Sequence, residues 1–139
     1  MIRGKCLCGA VAFEIRGKVS PIQTCHCSLC RKASGSAFSA SLMCASKNFV
    51  WLSGQENISV FEFSSGFLNA FCKSCGSPVP APTTSEKVKP FPAGCLDDDP
   101  GTRIFWHTFV GSKAPWFEIT DDLPQHEQHA PREHTESKP

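Results

Sequence analysis

The sequence lacks any long hydrophobic run, any clear excess of one charge and any recognisable secretion signal. Gly, Ser, Lys or Pro interrupts every apolar stretch before it reaches the ~18 residues of a membrane span, so we expect no membrane partner. Fourteen Lys and Arg against 13 Asp and Glu leave a net charge of +1, which disfavours general binding to nucleic acid. Residues 1–6 include basic side chains, but no apolar segment follows them, so we expect a cytoplasmic protein.

The composition that remains is that of one soluble globular domain. The chain has 139 residues, of which 40% are hydrophobic and 19% charged, and a chain of this length can bury a core without cross-links. We place the domain at residues 1–123. Residues 124–139 contain Ala130 as their only apolar residue apart from prolines, so we expect a disordered polar tail. We assign no role to the three histidines of this tail, which are His126, His129 and His134.

Short segments with strand patterns dominate the chain. In residues 9–17, Val11, Phe13 and Ile15 recur with a period of two between glycines, which is typical of a half-buried strand. Similar segments, rich in Phe, Val, Ile or Trp and bounded by Gly, Ser, Asn or Pro, lie at residues 37–43, 49–52, 58–63, 68–72 and 103–110. The sequence therefore predicts a mostly β fold.

Two further segments have different patterns. Residues 28–33 are the best candidate for a helix, which would be short and would end at Ser34 and Gly35, where a C-terminal cap is expected. Residues 78–92 contain five prolines and a polar stretch. Because proline has no backbone N–H, we expect a surface loop there without regular ladder hydrogen bonds.

Nine cysteines are the unusual feature of the composition. Cysteines seldom pair in a reducing compartment, and nine is an odd number, so metal binding or thiol chemistry explains them better than disulfides. Seven of them have the spacings C-x-C, C-x-C-x-x-C and C-x-x-C, which are typical of zinc sites built from thiolates. These three groups are Cys6 and Cys8; Cys25, Cys27 and Cys30; and Cys72 and Cys75.

Seven cysteines divide into four plus three, which matches one closed structural zinc site and one open site. The first and last groups flank predicted strands, so joining them at one metal would fasten the β framework. The middle group would then leave a fourth position on its own metal for water or a substrate. We call Cys6, Cys8, Cys72 and Cys75 the four-cysteine cluster, and Cys25, Cys27 and Cys30 the three-cysteine cluster.

Other interpretations of these cysteines stay open. Both sites could be structural, with His26 or another residue completing the second tetrahedron, although a residue between two ligands is better placed to support the site from outside. The C-x-x-C spacing could mark a redox pair, but such motifs accompany a βαβ pattern, which is not predicted here. Cys44 and Cys95 stand outside the groups and are predicted to be core or loop thiols.

Five segments carry a more specific signal. They are GKCLCGAV at residues 4–11, CHCSLCRK at residues 25–32, FCKSCGSP at residues 71–78, residues 92–98, and HTFVGSKAPW at residues 107–116. In these segments the sequence resembles the glutathione-dependent formaldehyde-activating enzymes and the related domain of centromere protein V. The resemblance extends from residue 4 to about residue 123, and three cysteine groups in this order are far more specific than one C-x-x-C.

The resemblance implies a β-tent fold, in which antiparallel sheets meet near zinc. It assigns a structural zinc to the four-cysteine cluster and a catalytic zinc to Cys25, Cys27 and Cys30, so the expected cofactor is Zn²⁺ at two sites, with the occupancy of the second left open. The implied reaction is the reversible addition of a thiol, glutathione or similar, to formaldehyde or another small aldehyde, formally a carbon–sulfur lyase reaction. The basic extension of centromere protein V has no counterpart here.

The roles of several polar residues near these motifs are undecided by the sequence. Arg31 and Lys32 follow the third cysteine of the middle group and could bind carboxylates of an anionic thiol, or could simply be solvated. His107 could shuttle protons or be packed in a strand, and Lys113 follows in the same motif. A zinc-stabilised binding module without catalytic activity, and a zinc or redox buffer, are the competing functions. The oligomeric state is not defined by the sequence.

Overall fold

The computed structural model describes residues 1–82 and 87–130. Within these ranges the chain forms three small β-sheets and one short α-helix. The helix is α1 (Ser28–Ser34). The strands are β1 (Ile2–Lys5), β2 (Ala12–Ile15), β3 (Ile22–Cys25), β4 (Ser39–Ala45), β5 (Phe49–Ser53), β6 (Ile58–Glu62), β7 (Leu68–Cys72), β8 (Val88–Pro92) and β9 (Ile104–Thr108).

The three sheets have the strand orders β1-β2-β5, β8-β4-β3-β9 and β6-β7. The pairings are antiparallel apart from that of β3 with β9, which is parallel. This parallel pair brings Cys25, at the end of β3, opposite Thr108 at the end of β9. The predicted mostly β fold of antiparallel sheets with zinc-type cysteine clusters is confirmed.

The core of the described residues consists of two groups of buried side chains, and Trp51 of β5 packs against both. The first surrounds Cys6 and Cys72 with Val11, Ile58 and Val79. The second lies between the three-stranded and four-stranded sheets and consists of Phe13, Ile15, Val19, Leu42, Cys44 and Phe91. Cys44 is fully buried, as expected for a core thiol, and Cys95 packs against the same group with its thiol donating to the carbonyl of Pro92 at 3.1 Å.

The predicted helix is confirmed at residues 28–34, and it ends where the sequence predicts. Gly35 adopts a left-handed conformation with φ of 64°, and its N–H donates to the carbonyl of Arg31 at 2.9 Å. The helix is too short to have strong intrinsic stability, so its caps and packing define it. No helix in the described residues is long and apolar enough to cross a membrane.

Six of the nine strands coincide with the segments whose patterns predict them. The strands without a prediction are β1, β3 and β8. The first two are only four residues long, and neither has the clean alternation that marks a half-buried strand. Their pairing with neighbouring strands, rather than their own pattern, makes them strands.

The prediction of a loop over residues 78–92 is wrong at its end, because β8 (Val88–Pro92) pairs with β4. Residues two apart in a strand share the same backbone side. The backbone nitrogens of Pro90 and Pro92 therefore both face away from β4. Because β8 is an edge strand, no other strand needs an N–H on that side, so the two prolines are tolerated. Lys89 and Phe91 alternate with these prolines and are buried. Residues 83–86 of the predicted loop lie outside the described residues.

The expected disorder of residues 124–139 differs from the structure in the first part of that segment. The N–H of His107 donates to the carbonyl of Pro124 at 2.9 Å, and that of Phe109 to Gln128 at 3.0 Å. These backbone contacts attach residues 124–128 to β9, because a sheet edge supplies unpaired donors and acceptors that a polar segment can use without burying side chains. Residues 131–139 lie outside the described residues.

Candidate metal centres

The four-cysteine cluster lies where the three-stranded sheet meets the β6-β7 hairpin. Cys6 and Cys8 follow β1, Cys72 ends β7, and Cys75 lies in the turn after it. Their four sulfur atoms all lie within 4.8 Å of one another, with 3.6 Å between Cys6 and Cys8 and 3.8 Å between Cys8 and Cys72. Zinc–sulfur bonds of about 2.3 Å in a tetrahedron place sulfurs about 3.8 Å apart, so the cluster fits a tetrahedral thiolate site.

Backbone and amide donors point at the sulfurs of this cluster. The N–H of Val11 lies 3.3 Å from the sulfur of Cys6, and the side-chain amide of Asn57 lies 3.5 Å from that of Cys72. Burial tends to raise the pKa of Cys6, but hydrogen bonds from Val11 and neighbouring thiols outweigh it and lower that pKa. Such donors stabilise thiolates, which are the form that binds a metal.

The three-cysteine cluster is built at the junction of β3, α1 and β9. Cys25 ends β3, Cys27 is the N-cap residue of α1, and Cys30 lies in the first turn of the helix. The N–H of Cys30 donates to the sulfur of Cys27 at 3.3 Å, in place of the usual oxygen cap. The three sulfurs lie within 4.8 Å of one another, and all three residues are partly exposed. This donor set fits a metal ion held by three thiolates.

The thiols of Cys25 and Cys30 shift each other's pKa in opposite directions. The pKa of Cys25 is lowered to about 5, chiefly because the thiol of Cys30 donates a hydrogen bond to it, against an opposing effect of burial. The pKa of Cys30 is raised for the same reason. The cluster therefore carries a thiolate near neutral pH, as a metal ligand requires.

Two histidines and an aspartate form a hydrogen-bonded chain beside the three-cysteine cluster. His26 and His107 are buried, and Nε2 of His26 lies 2.9 Å from Nδ1 of His107. Nε2 of His107 lies 3.0 Å from a carboxylate oxygen of Asp121, which is partly exposed. The His26 ring also packs against Phe38 and Phe117, and its ligand atoms are not among those that converge with the cysteines.

These contacts lower the pKa values of His26 and Asp121, which are the two end members of the hydrogen-bonded chain. Burial, followed by the charges of His107 and Lys113, lowers the pKa of His26. The hydrogen bond from His107 lowers the pKa of Asp121. The sequence left His26 between support of the site and surface exposure, left His107 undecided and did not identify Asp121; the burial of His26 excludes surface exposure. No spacing signal could have found Asp121, because its partner lies 14 residues away across a turn.

The basic residues singled out in the sequence have specific contacts. The Nε of Arg31 donates to the carbonyl of His26 at 3.3 Å, and Lys32 is exposed on α1. The ammonium of Lys113 donates to the carbonyl of Ala114 at 3.2 Å and also to that of Phe117. Lys113 therefore fastens the turn that carries Phe117 against the His26 ring.

Small β-sheets with two clusters of thiols, one of four potential ligands and one of three, define a class of β domains that could hold metal ions. The comparison with known families identifies the class further. The family model of the glutathione-dependent formaldehyde-activating enzyme matches residues 1–112, which is more than half of the chain. The chain belongs to this family.

Individual proteins are also similar to the chain, among them one by sequence and one by structure. A Halomonas elongata protein named "Putative glutathione-dependent formaldehyde-activating enzyme" is 31% identical over 130 residues, which cover 86% of this chain and 81% of that protein. A crystal structure of a Rhodobacter sphaeroides protein superimposes with a TM-score of 0.56 at 19% identity, covering 73% of this chain and 98% of the other. At that identity the second similarity supports the fold alone.

Proposed function

We propose that the protein is a cytoplasmic zinc-dependent enzyme that catalyses the reversible addition of a thiol, glutathione or a similar one, to formaldehyde or another small aldehyde. The observation that carries this proposal is the three-cysteine cluster. Among the described residues it offers three converging ligand atoms rather than four, and its cysteines are partly exposed. Three protein ligands with one open position are typical of catalytic zinc, whereas four are typical of structural zinc.

The proposed reaction forms a bond between the thiol sulfur and the aldehyde carbon. The carbonyl π bond opens, and the proton lost by the thiol ends on the former carbonyl oxygen, so the product is an S-hydroxymethyl thioether and no redox partner is needed. When bound at the open site, zinc would favour the deprotonated thiol and hold it near the aldehyde. Formally the reverse reaction is a carbon–sulfur lyase reaction.

The chain's own residues would prepare this site. Cys25, Cys27 and Cys30 would hold the metal, and the low pKa of Cys25, about 5, keeps a thiolate ready for it. The exposed Lys32 and the neighbouring Arg31 lie on the helix that carries Cys30, where they can attract the carboxylates of glutathione. The four-cysteine cluster would hold a structural zinc that fastens the sheets.

Cys27→Ser is the sharpest variant for testing this function. Serine is a good N-cap residue and can accept the same N–H of Cys30 that the sulfur of Cys27 accepts. The variant therefore removes a metal ligand while it keeps the helix cap. Cys95→Ser is the matched control, because its hydroxyl can still donate to the carbonyl of Pro92 and Cys95 belongs to neither cluster.

The measurement is the exchange rate between free formaldehyde with glutathione and their adduct, followed by NMR exchange spectroscopy, with zinc per chain determined on the same samples. We expect two zinc ions in the wild type and in Cys95→Ser, and one in Cys27→Ser. We expect the acceleration of exchange to fall at least about tenfold in Cys27→Ser. Two zinc ions with no acceleration in the wild type would favour a zinc-stabilised binding module instead, and equal acceleration by all three proteins would show that the three-cysteine cluster is not the active site.

A further inference from the structure

The hydrogen-bonded chain of Asp121, His107 and His26 is not used by the proposed reaction, yet its two histidines are buried beside the three-cysteine cluster. The exposed fractions of His26 and His107 are 0% and 3%. Burying two imidazole rings in contact is costly unless their hydrogen bonds are satisfied. These hydrogen bonds link His26, between two of the cysteines, to His107 on β9, and His107 to Asp121 in the segment after Phe117.

The direction of each hydrogen bond follows from the aspartate. An ionised carboxylate can only accept hydrogen bonds, so Nε2 of His107 donates to Asp121. Nδ1 of a neutral His107 ring is then an acceptor, and two groups lie within reach of it, the Thr24 hydroxyl at 2.8 Å and Nε2 of His26 at 2.9 Å. The hydroxyl can turn its proton to the carbonyl of Trp106 at 3.3 Å, whereas an unprotonated Nε2 of His26 would set two nitrogen lone pairs against each other, so Nε2 of His26 donates to Nδ1 of His107. Nδ1 of His26 is then left without a proton and has no hydrogen-bond partner among the described residues.

The same histidine fixes the backbone between two cysteines. The N–H of His26 donates to the carbonyl of Thr108 at 2.9 Å, and its carbonyl accepts from Arg31. Its ring is held by His107 and by the Phe38 and Phe117 rings, at centroid distances of 5.2 and 6.1 Å. Because Cys25 and Cys27 are its direct neighbours, a shift of the His26 backbone would redirect both sulfurs, and the contacts of its backbone and ring together oppose such a shift.

We propose that Asp121 and His107 are positioning residues, which hold the His26 ring in its Nε2–H tautomer and thereby fix Cys25 and Cys27 in the geometry that binds the metal. This proposal rests on the proposed function only in assigning a metal to the three-cysteine cluster. Residues that orient a metal site from outside typically change metal affinity or activity by 10- to 100-fold when they are removed.

The first test uses the wild-type protein and needs no variant. Histidine nitrogen shifts and long-range couplings measured by ¹H–¹⁵N NMR on the zinc-loaded protein report which ring nitrogen carries the proton. We expect Nε2–H tautomers for both His26 and His107. An Nδ1–H tautomer in either ring would overturn the proposal.

The second test compares three variants of exposed aspartates. Asp121→Ala removes the acceptor, Asp121→Asn keeps an acceptor oxygen, and Asp122→Ala removes the neighbouring exposed carboxylate as a control. The readout is the zinc dissociation constant of each cluster, measured by competition with a chromophoric chelator. We expect that of the three-cysteine cluster to rise about tenfold in Asp121→Ala, with that of the four-cysteine cluster unchanged, and both near the wild-type values in Asp121→Asn and Asp122→Ala.

The outcomes separate this proposal from the proposed function. If Asp121→Ala binds zinc at the three-cysteine cluster within twofold of the wild type, the positioning role is wrong, whatever the enzyme does. If zinc affinity falls as expected but the wild type does not accelerate the aldehyde exchange, the positioning role holds and the proposed function fails. A fall in the affinity of both clusters would show a general loss of structure and would also contradict the proposal.

Discussion

Lys89 carries its ammonium group into the interior of the protein. Its side chain is 1% exposed, its Nζ lies 5.1 and 5.2 Å from the ring centres of Phe49 and Trp51, and it donates to the carbonyl of Ala81. Burial lowers the pKa of Lys89 to about 8 from its ordinary value of 10.5. The aromatic faces offset part of the cost of burying a charge. The lowered pKa shows that the charged form is still less favourable in the folded protein than in the unfolded chain.

The lowered pKa of Lys89 predicts a specific pH dependence of stability. Between pH 8 and 10.5 the unfolded chain still binds the proton while the folded chain has lost it, so the stability of the wild type rises with pH across this window. Relative to Lys89→Met, which cannot titrate, we expect the free energy of unfolding of the wild type to increase by about 2 kcal/mol from pH 7 to pH 10. Urea denaturation of both proteins at both pH values measures this. A difference independent of pH would show that Lys89 keeps its ordinary pKa.

Among individual residues, the cysteines could be assigned to the candidate sites from the sequence, whereas the contacts of the histidines could not. Cysteine spacing within a turn is local, so the three cysteine groups could be identified from the sequence, and the division of seven ligands into four plus three predicted how they join into two clusters. The contact of His26 with His107 spans 81 residues and exists only because β3 pairs with β9 in parallel. Since β3 has no strand signal of its own, neither this contact nor the role of Asp121 could be found before the structure.

The helix α1 shows how one glycine supports a functional element. Gly35 ends the helix with φ of 64°, a conformation that costs an L-residue roughly 1 kcal/mol. A Cβ added at Gly35 would meet no atom within 4 Å, so its effect would be conformational rather than steric. The helix carries Cys30 and Lys32, so the cap that Gly35 provides also supports the three-cysteine cluster.

Replacing Gly35 by alanine should therefore destabilise the protein by about 1 kcal/mol. Gly94→Ala is the matched control, because a Cβ there also meets no atom within 4 Å and Gly94 does not have a positive φ. We expect the control to be neutral or slightly stabilising. The measurement is the free energy of unfolding in urea with zinc present. Equal effects of the two substitutions would contradict the conformational explanation.

Strand β8 shows that the strand propensity of its residues is not enough to predict a secondary-structure element. Its prolines argue against a strand, and the argument is sound for a central strand, where each lost N–H costs a ladder bond. The sequence does not say which strands lie at an edge, because that depends on the whole sheet. Only the order β8-β4-β3-β9 shows that Pro90 and Pro92 can be accommodated.

At the scale of the whole molecule, the two clusters differ in what they connect. The four-cysteine cluster joins the end of β1, in the three-stranded sheet, to the end of β7, in the hairpin sheet. Cys6 and Cys72 are buried in the core around it. The three-cysteine cluster lies within residues 25–30, so it closes only a short loop. A metal that joins distant segments stabilises the fold more than one bound within a single turn.

If each cluster holds a zinc ion, as we propose, losing one or the other should therefore affect stability unequally. We expect Cys8→Ser to lower the free energy of unfolding by more than about 3 kcal/mol, because the four-cysteine cluster loses a ligand and the two sheets lose their connection. Cys27→Ser should lower it by about 1 kcal/mol or less, since its serine keeps the helix cap. Thermal and urea unfolding of both zinc-loaded variants test this. If Cys27→Ser is as unstable as Cys8→Ser, both metals are structural, and the three-cysteine cluster would no longer support an open catalytic site.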